Sequence, residues 1–422
     1  MITDPNSLIL LKVLNVMWKI FQVGFFVFLL TYTWRIWLKY RRMLFISQMK
    51  WSLIEVRIPK EVFKSPLAME LVLMNAMHYG SYGEWYWKFW QGRVPPWFSL
   101  EIVSIEGNVY FFILTPVKYT VFNFKDLIEA QIYAEYPQAE INEVPDYTET
   151  VSLGTKEGWG LWGAEFVLSK ADPFPIKTYI DYGVDRAVSL DENQKIDPIT
   201  GLIETFGSLG EGEQMWLQIL IRKDQKRFKD PKKWFGKRSW TDVGKEEIEN
   251  FKAKFKPKEK GEQPIRMSPG ETNTLEALER SINKPGFDCG IRVIYLAKKG
   301  KFRVANIAGI INLFKPYGST FLNGFKISNK TGFDVPWQDY KGIRATELRH
   351  EMLDAYKLRS YFYPPHDKKF DLKALSKIER VPFILNSEEL ATIFHFPGSV
   401  SETPTFKRMT AKKSEPPTNL PI

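Results

Sequence analysis

The sequence predicts an α+β protein with an N-terminal single transmembrane helix, two ferredoxin-like (split βαβ) sandwich units and an extended C-terminal arm. An apolar run covers residues 13–34, about the length that a helix needs to cross a hydrocarbon core of ~30 Å. Strand and helix patterns then follow in the order β-α-β-β-α-β, and a second series of similar elements comes after them. The hydrophobic content of 44% in 422 residues lets these units bury a core.

The N-terminal region divides into a tail at 1–12, a membrane anchor at 13–38 and a basic juxtamembrane segment at 39–50. Four cations follow the apolar run, whereas only Lys12 and Asp4 flank its other side. Because cytoplasmic flanks carry the excess of Lys and Arg, we expect the N-terminus outside and the body in the cytoplasm. A cleavable signal peptide would carry its charges before the run, which leaves an interfacial amphipathic helix and a buried core helix as the alternatives. The orienting cations are Arg35, Lys39, Arg41 and Arg42.

The first predicted domain covers residues 51–150. Two strands within 97–116 meet at Glu106-Gly107-Asn108, which is a good turn signal for a β-hairpin. Alternating residues predict the strands, and apolar periodicity with a Ser cap and a terminal Gly predicts the first helix. The other elements are strands at 51–59 and 139–147 and helices at 65–80 and 124–137.

The second predicted domain covers residues 151–340 and carries a charged insertion at 225–268 that is rich in Lys, Glu and Pro. A helix and a linker are predicted for 341–378. A strand, a short helix capped at Asn386 or Ser387 and the extended arm are predicted for 379–422. The strands of the second domain are predicted at 162–170, 213–224 and 288–298, and its helices at 197–209, 271–286 and 302–318.

No stretch of the sequence supplies a catalytic or cofactor site. Gly158–Gly163 matches G-x-G-x-x-G but follows a polar turn instead of a strand. Gly324–Thr331 approaches the P-loop pattern but has Asn329 where the second glycine is needed. The four His residues are dispersed, and Cys289 is expected to be a buried structural thiol. The sequence therefore predicts no cofactor, no metal site and no enzymatic activity.

Two stretches are candidates for binding surfaces. The insertion interleaves basic and aromatic residues, as base stacking with phosphate contacts would require, although acidic residues dilute it and an ordinary solvated insertion is the alternative. The Trp-rich region at 82–98 either rests on the membrane interface or a partner, or covers the core of the sandwich. The residues assigned to nucleic-acid or lipid contact are Lys226, Arg227, Lys229, Lys232, Lys233, Trp234, Lys237 and Arg238.

Several stretches together resemble one family of membrane-anchored, uncharacterised domains that is abundant in small-genome bacteria of the candidate phyla radiation. They include WSLIEVRIPKEVFKSPLAME, KPGFDCGIRVIYLAKK, FILNSEELATIFHFPG and KKSEPPTNLPI, and the resemblance runs from about residue 51 to the terminus. The same domain resembles the region preceding the motor in conjugation-type secretion ATPases and HerA/FtsK-like DNA translocases. In those proteins the last two types of segment lead into the ATPase core. The present sequence departs from them because it stops before any P-loop, so ATP hydrolysis is not expected.

The resemblance implies a place in a type IV secretion, conjugation or DNA-uptake machine at the bacterial inner membrane. The expected role is that of a non-enzymatic component that docks a P-loop ATPase on a separate chain, as a monomer or a homo-oligomer. A membrane-tethered nucleic-acid-binding module is the second hypothesis, and an enzyme with an unrecognised site is the third. The residues expected to contact a partner are Pro416, Pro417, Asn419, Leu420, Pro421 and Ile422.

Overall fold

The chain forms two compact units in the computed structural model. One unit holds the N-terminal residues to Met49 and the region from Ser81 to Val94, and the other holds the whole β-sheet. The structure describes residues 5–59, 64–80, 83, 85–119, 122–154, 158–184, 197–231, 233, 236–255, 266–333, 335–363 and 380–397.

The helices are α1 (Pro5–Ser47), α2 (Pro66–Val72, continued by a π-helical turn to Met77), α3 (Trp85–Phe89), α4 (Phe124–Glu135), α5 (Pro198–Gly207), α6 (Trp240–Ala253), α7 (Pro269–Ile282), α8 (Val304–Asn312), α9 (Ile343–Lys357) and α10 (Ser387–Ile393). The strands are β1 (Lys50–Arg57), β2 (Phe98–Ile105), β3 (Asn108–Lys118), β4 (Glu140–Val144), β5 (Gly160–Leu168), β6 (Glu213–Lys223), β7 (Phe228–Lys229), β8 (Lys237–Arg238), β9 (Gly286–Ala297), β10 (Phe325–Lys330) and β11 (Phe383–Asn386).

Helix α1 contains 43 residues, which corresponds to a length of ~65 Å. It is long and apolar enough to cross a membrane, and no other helix in the described part of the chain meets both conditions. The helix continues through the basic segment predicted at 39–50 as far as Ser47. At 1.5 Å per residue it is about twice as long as a hydrocarbon core is thick, so a bilayer would cover only part of it.

The first half of the sheet has the strand order β2-β3-β1-β4, and all its pairs are antiparallel. This order, with α2 after β1 and α4 after β3, is that of a ferredoxin-like fold and confirms the prediction. The predicted hairpin turn is also confirmed. Glu106 and Gly107 have φ values of 53° and 84°, as a two-residue turn between paired Ile105 and Asn108 requires.

The second half repeats the pattern in the order β10-β5-β9-β6. Antiparallel pairing of β6 with β2, for example Leu100 with Ile219, joins the two halves into one continuous sheet. Strand β10 was not predicted: Phe325–Lys330 lies in the stretch that approaches the P-loop pattern, and the structure shows it to be an edge strand paired with β5. The helix predicted at 302–318 is too long: α8 ends at Asn312, because Pro316 has no N–H with which to continue the α-helix, and a separate 3₁₀ turn follows at Lys315–Tyr317.

Strand β11 and helix α10 complete the core from the C-terminal side. β11 pairs with residues 286–289 of β9, beyond the end of the β5 ladder. The strand and the short helix predicted in this region are confirmed, with Asn386 as the helix cap. The predicted arm from residue 398 onward lies outside the described residues.

Candidate membrane-proximal and basic surfaces

The four cations predicted to set the orientation lie on the last turns of α1, between Arg35 and Arg42. This interval spans about 10 Å of helix axis and begins where the apolar run ends. Arg35 is exposed, and Arg41 donates from Nε to the carbonyl oxygen of Trp90 at 2.7 Å. Positive charge is therefore concentrated in the part of α1 that follows the apolar run, before the last turn of the helix.

The charged insertion folds into a small hairpin followed by α6. The hairpin consists of β7 and β8, in which Phe228 pairs with Arg238 and Lys229 pairs with Lys237. Lys226, Lys229, Lys233 and Lys237 are exposed. Two lysines directly opposite each other in a ladder repel one another, so this pair reduces the stability of the hairpin. Lys232 and Trp234 lie outside the described residues.

Two of the predicted contact residues are engaged in ion pairs within the protein. Arg227 bonds to Asp288 and, at 3.2 Å, to Asp172, while Arg238 bonds to Glu246 at 2.5 Å. Burial raises the pKa of Asp288, and the guanidinium groups of Arg222 and Arg227 oppose that rise. Arg227 therefore compensates a buried carboxylate, and the exposed lysines are the better candidates for contact with a ligand.

A row of polar side chains crosses the sheet in the centre of the fold, and the sequence analysis did not anticipate it. Its members pair with one another across neighbouring strands. Gln218 donates to Glu101 at 3.0 Å, and Arg292 contacts both Gln218 at 3.3 Å and Glu165 at 3.2 Å. The members are Glu101 on β2, Gln218 on β6, Arg292 on β9, Glu165 on β5 and Asn329 on β10.

The segment that follows α9 covers this row. Arg359 donates to both carboxylate oxygens of Glu101, at 3.1 and 3.3 Å, and also pairs with Asp146. Tyr147 donates its hydroxyl to Glu101 at 2.8 Å. Burial would lower the pKa of Arg359, but the two carboxylates raise it well above its usual value. The row and its cover form a compensated buried ion network.

An open groove of about 460 Å³ lies beside this network. Its lining includes the apolar or aromatic side chains of Tyr110, Phe112 and Val144 and the carboxylates of Asp146 and Glu149. Asp146 is already paired with Arg359, and Phe112 stacks on Tyr147 at 5.0 Å. Among the described residues there is no group of three His, Cys, Asp or Glu side chains that could hold a metal ion. Cys289 is buried, and burial raises the pKa of its thiol well above the usual value.

Helix α10 is fixed in the protein core. All seven of its residues are buried, and Asn386 and Glu389 form a reciprocal capping box. Glu389 also accepts from the backbone N–H of Ile176 at 2.8 Å. Burial raises the pKa of Glu389 to about 8, although the two backbone donors lower it.

Glu388 contacts Arg280 at 3.2 Å and Lys284 at 3.0 Å. Helix α10 is therefore held in the core by its cap and by the ion pairs of Glu388. The partner-contact residues predicted from Pro416 to Ile422 lie outside the described residues.

Residues 48–329 match the model of a domain of unknown function, DUF8128. This range covers about two thirds of the chain and coincides with the two ferredoxin-like halves, from β1 to β10. The family model therefore describes strands β1 to β10 and leaves out α1, α9, β11 and α10. No curated protein matches the sequence. With its two ferredoxin-like halves joined edge to edge, the chain belongs to the DUF8128 family.

Proposed function

We propose that this protein is a non-enzymatic, membrane-anchored component of a type IV secretion-like or conjugative DNA-transfer apparatus, and that it docks a separately encoded P-loop ATPase. One observation carries the docking role: α10 is wholly buried and lies only a few residues before the predicted arm. In the resemblance described above, the corresponding segments lead into a motor domain. A rigid element at this position would hold a partner that binds the arm close to the sheet.

The proposed location is the bacterial inner membrane, with α1 as a single pass and the sheet in the cytoplasm. The long apolar helix supports the anchor, and the cations from Arg35 to Arg42 support the orientation. An ATPase partner requires this orientation because ATP is in the cytoplasm. A homo-oligomer is compatible with the proposal, because each protomer would bind an ATPase through its own arm.

Deletion of residues 399–422 should abolish recovery of the ATPase. The full chain is extracted in detergent and used to retain the P-loop ATPase encoded in the same genome, with and without these residues. We expect the recovered amount to fall at least tenfold on deletion, because α10 and the core remain while the segment that binds the ATPase is removed. A variant with Lys229→Gln and Lys237→Gln is the control and should recover the ATPase normally. Equal recovery with and without the arm would contradict the docking role.

A specific observation favours nucleic-acid binding as the second candidate function. The β7–β8 hairpin places Lys229 directly opposite Lys237, with Lys226 and Lys233 also exposed. The two facing lysines destabilise the hairpin when they are unneutralised. An anion bound between Lys229 and Lys237 would remove this repulsion. A phosphate backbone supplies such anions at regular spacing.

Reversal of charge at the hairpin should weaken binding to single-stranded DNA. For Lys229→Glu with Lys237→Glu we expect the affinity to fall at least tenfold at low salt. The slope of log K against log salt should become shallower by about 1.4, at ~0.7 for each phosphate that the protein no longer neutralises. Fluorescence anisotropy of the full chain in detergent measures both quantities. A variant with Lys299→Glu and Lys301→Glu carries the same charge change on an exposed turn elsewhere. If both variants weaken binding equally, the hairpin is not the site.

A further inference from the structure

The Trp-rich region, here called the aromatic loop and comprising Gly83 and residues 85–93, packs against the basic end of α1. The ring of Phe89 lies 6.3 Å from that of Trp34, and the ring of Trp90 lies 6.0 Å from that of Trp37. Arg41 donates to the backbone of Trp90. The loop therefore lies beside the two turns of α1 that immediately follow the apolar run.

The close approach of the loop to α1 depends on Gly92. Its φ of +71° is in the left-handed region, and a Cβ atom there would lie 2.4 Å from the carbonyl carbon of Arg41. Hydrogen bonds from Trp90 N–H to Tyr86 and from Arg93 N–H to Trp87 close the loop on itself, at 2.8 and 3.0 Å. The local sequence thus builds a compact element with a fixed contact to the helix.

The outer surface of the aromatic loop is formed by large rings. Trp85 is 71% exposed, Trp90 53% and Tyr86 45%. The guanidinium of Arg93 stacks 3.8 Å above the ring of Trp87. Exposing several large aromatic rings together to water is unfavourable. Trp and Tyr rings, with one polar group each and cations beside them, fit the boundary between lipid headgroups and acyl chains.

We propose that the aromatic loop lies in the lipid headgroup layer of the bilayer that α1 crosses. The exposed rings of Trp85, Tyr86 and Trp90 insert between lipids, and Arg41 and Arg93 face the lipid phosphates. The position of the loop favours lipid over a protein partner, because it contacts α1 at the turns where the apolar run ends. The inference rests on α1 spanning the membrane and adds a second, interfacial contact that fixes the depth of the helix.

The depth of a probe on the loop tests this proposal. The single native thiol, Cys289, is buried, so an introduced cysteine is labelled selectively. The full chain is labelled with an environment-sensitive fluorophore at Tyr86→Cys and reconstituted in nanodiscs of phosphatidylcholine and phosphatidylglycerol. Nitroxide lipids labelled at the headgroup or deep in the acyl chain then quench the probe. Phe28→Cys, on the apolar part of α1, and Tyr340→Cys, on an exposed turn of the other unit, are the reference positions.

We expect the headgroup nitroxide to quench the Tyr86 probe at least twofold, and aqueous iodide to quench it much less than the Tyr340 probe. The Phe28 probe should respond to the deep nitroxide. In a Trp85→Ser, Trp90→Ser variant, quenching at Tyr86 should fall while that at Phe28 is kept. A Tyr86 probe as open to iodide as the Tyr340 probe would overturn the inference, because it would place the loop in water. A Phe28 probe that reads as aqueous would also overturn it, by removing the membrane anchor. The ATPase recovery assay is independent of the loop, so the two proposals fail separately.

Discussion

Replacing Arg359 by methionine should lower the free energy of unfolding by about 3–5 kcal/mol, the cost of removing one partner from a buried ion pair. Glu101 is fully buried on β2 and accepts two of the hydrogen bonds that the Arg359 guanidinium donates. Methionine fills much of the same volume but leaves that carboxylate with neutral donors only. Asp146 loses its cation as well. The segment after α9, which packs on the polar row, should therefore be held less tightly against the sheet.

Urea unfolding of the full chain in detergent, followed by tryptophan fluorescence, measures this destabilisation. The control is Lys252→Met, which removes a cation paired with Glu279 where both side chains are about half exposed, and it should cost about 0–1 kcal/mol. The double variant Glu101→Gln, Arg359→Met should be destabilised by less than the sum of the two single changes, because the residues interact directly. If Arg359→Met cost no more than Lys252→Met, the network would not be stabilising the fold as described.

The pH dependence of the free energy of unfolding tests the same interaction in a second way. Burial raises the pKa of Asp146, but Arg359 outweighs burial, so the folded-state pKa lies below the usual value. A lowered folded pKa contributes stability above about pH 4 that is lost as the pH falls through the folded value. In the Arg359→Met variant this contribution should disappear. The stability difference between wild type and variant should therefore shrink below about pH 4.

Neutralising the cations at the end of α1 should produce a mixed membrane orientation. The variant carries Arg35→Gln, Lys39→Gln, Arg41→Gln and Arg42→Gln, which removes the charge excess next to the apolar run. A cysteine introduced at the exposed Tyr340 reports the side on which the body lies. With a membrane-impermeant maleimide on intact cells, we expect a labelled fraction in the variant and almost none in the parent.

The matched control for orientation removes four positive charges from the sheet-containing unit, by glutamine at Lys226, Lys229, Lys233 and Lys237. These lysines are far from α1 in sequence, so they should not influence insertion. Labelling of the control on intact cells should equal that of the parent. If the control and the α1 variant behaved alike, net charge of the body, and not the flank of the helix, would determine orientation.

Local sequence patterns were sufficient to predict most elements of the two ferredoxin-like halves. Alternation and helix-boundary signals act over a few residues, so strands such as β1 and helices such as α4 could be found. The edge-to-edge pairing of β2 with β6 depends on contacts between residues more than 100 positions apart, as in Leu100 with Ile219. No local pattern encodes such a pairing.

The polar row was partly visible in the sequence. Glu101, Gln218 and Arg292 each interrupt a strongly apolar strand, and a charged residue in such a strand needs a buried partner. The partners could not be assigned because their identity follows from strand order. Arg359 was predicted to lie within a helix, whereas α9 ends at Lys357 and Arg359 has a φ of 45°. In the same way, Arg227 was assigned to a ligand because the partner Asp288 lies on the distant strand β9.

The side of the membrane on which the sheet lies tests the central claim most directly, since docking of a cytoplasmic ATPase and the interfacial position of the loop both require α1 as a single-pass anchor. The measurement is maleimide labelling of Tyr340→Cys in the otherwise unchanged chain, before and after cell lysis, with the mass of the membrane-bound protein determined in parallel. We predict labelling only after lysis and a protein that retains α1. Labelling of intact cells, or a mature protein from which α1 has been cleaved, would contradict the account.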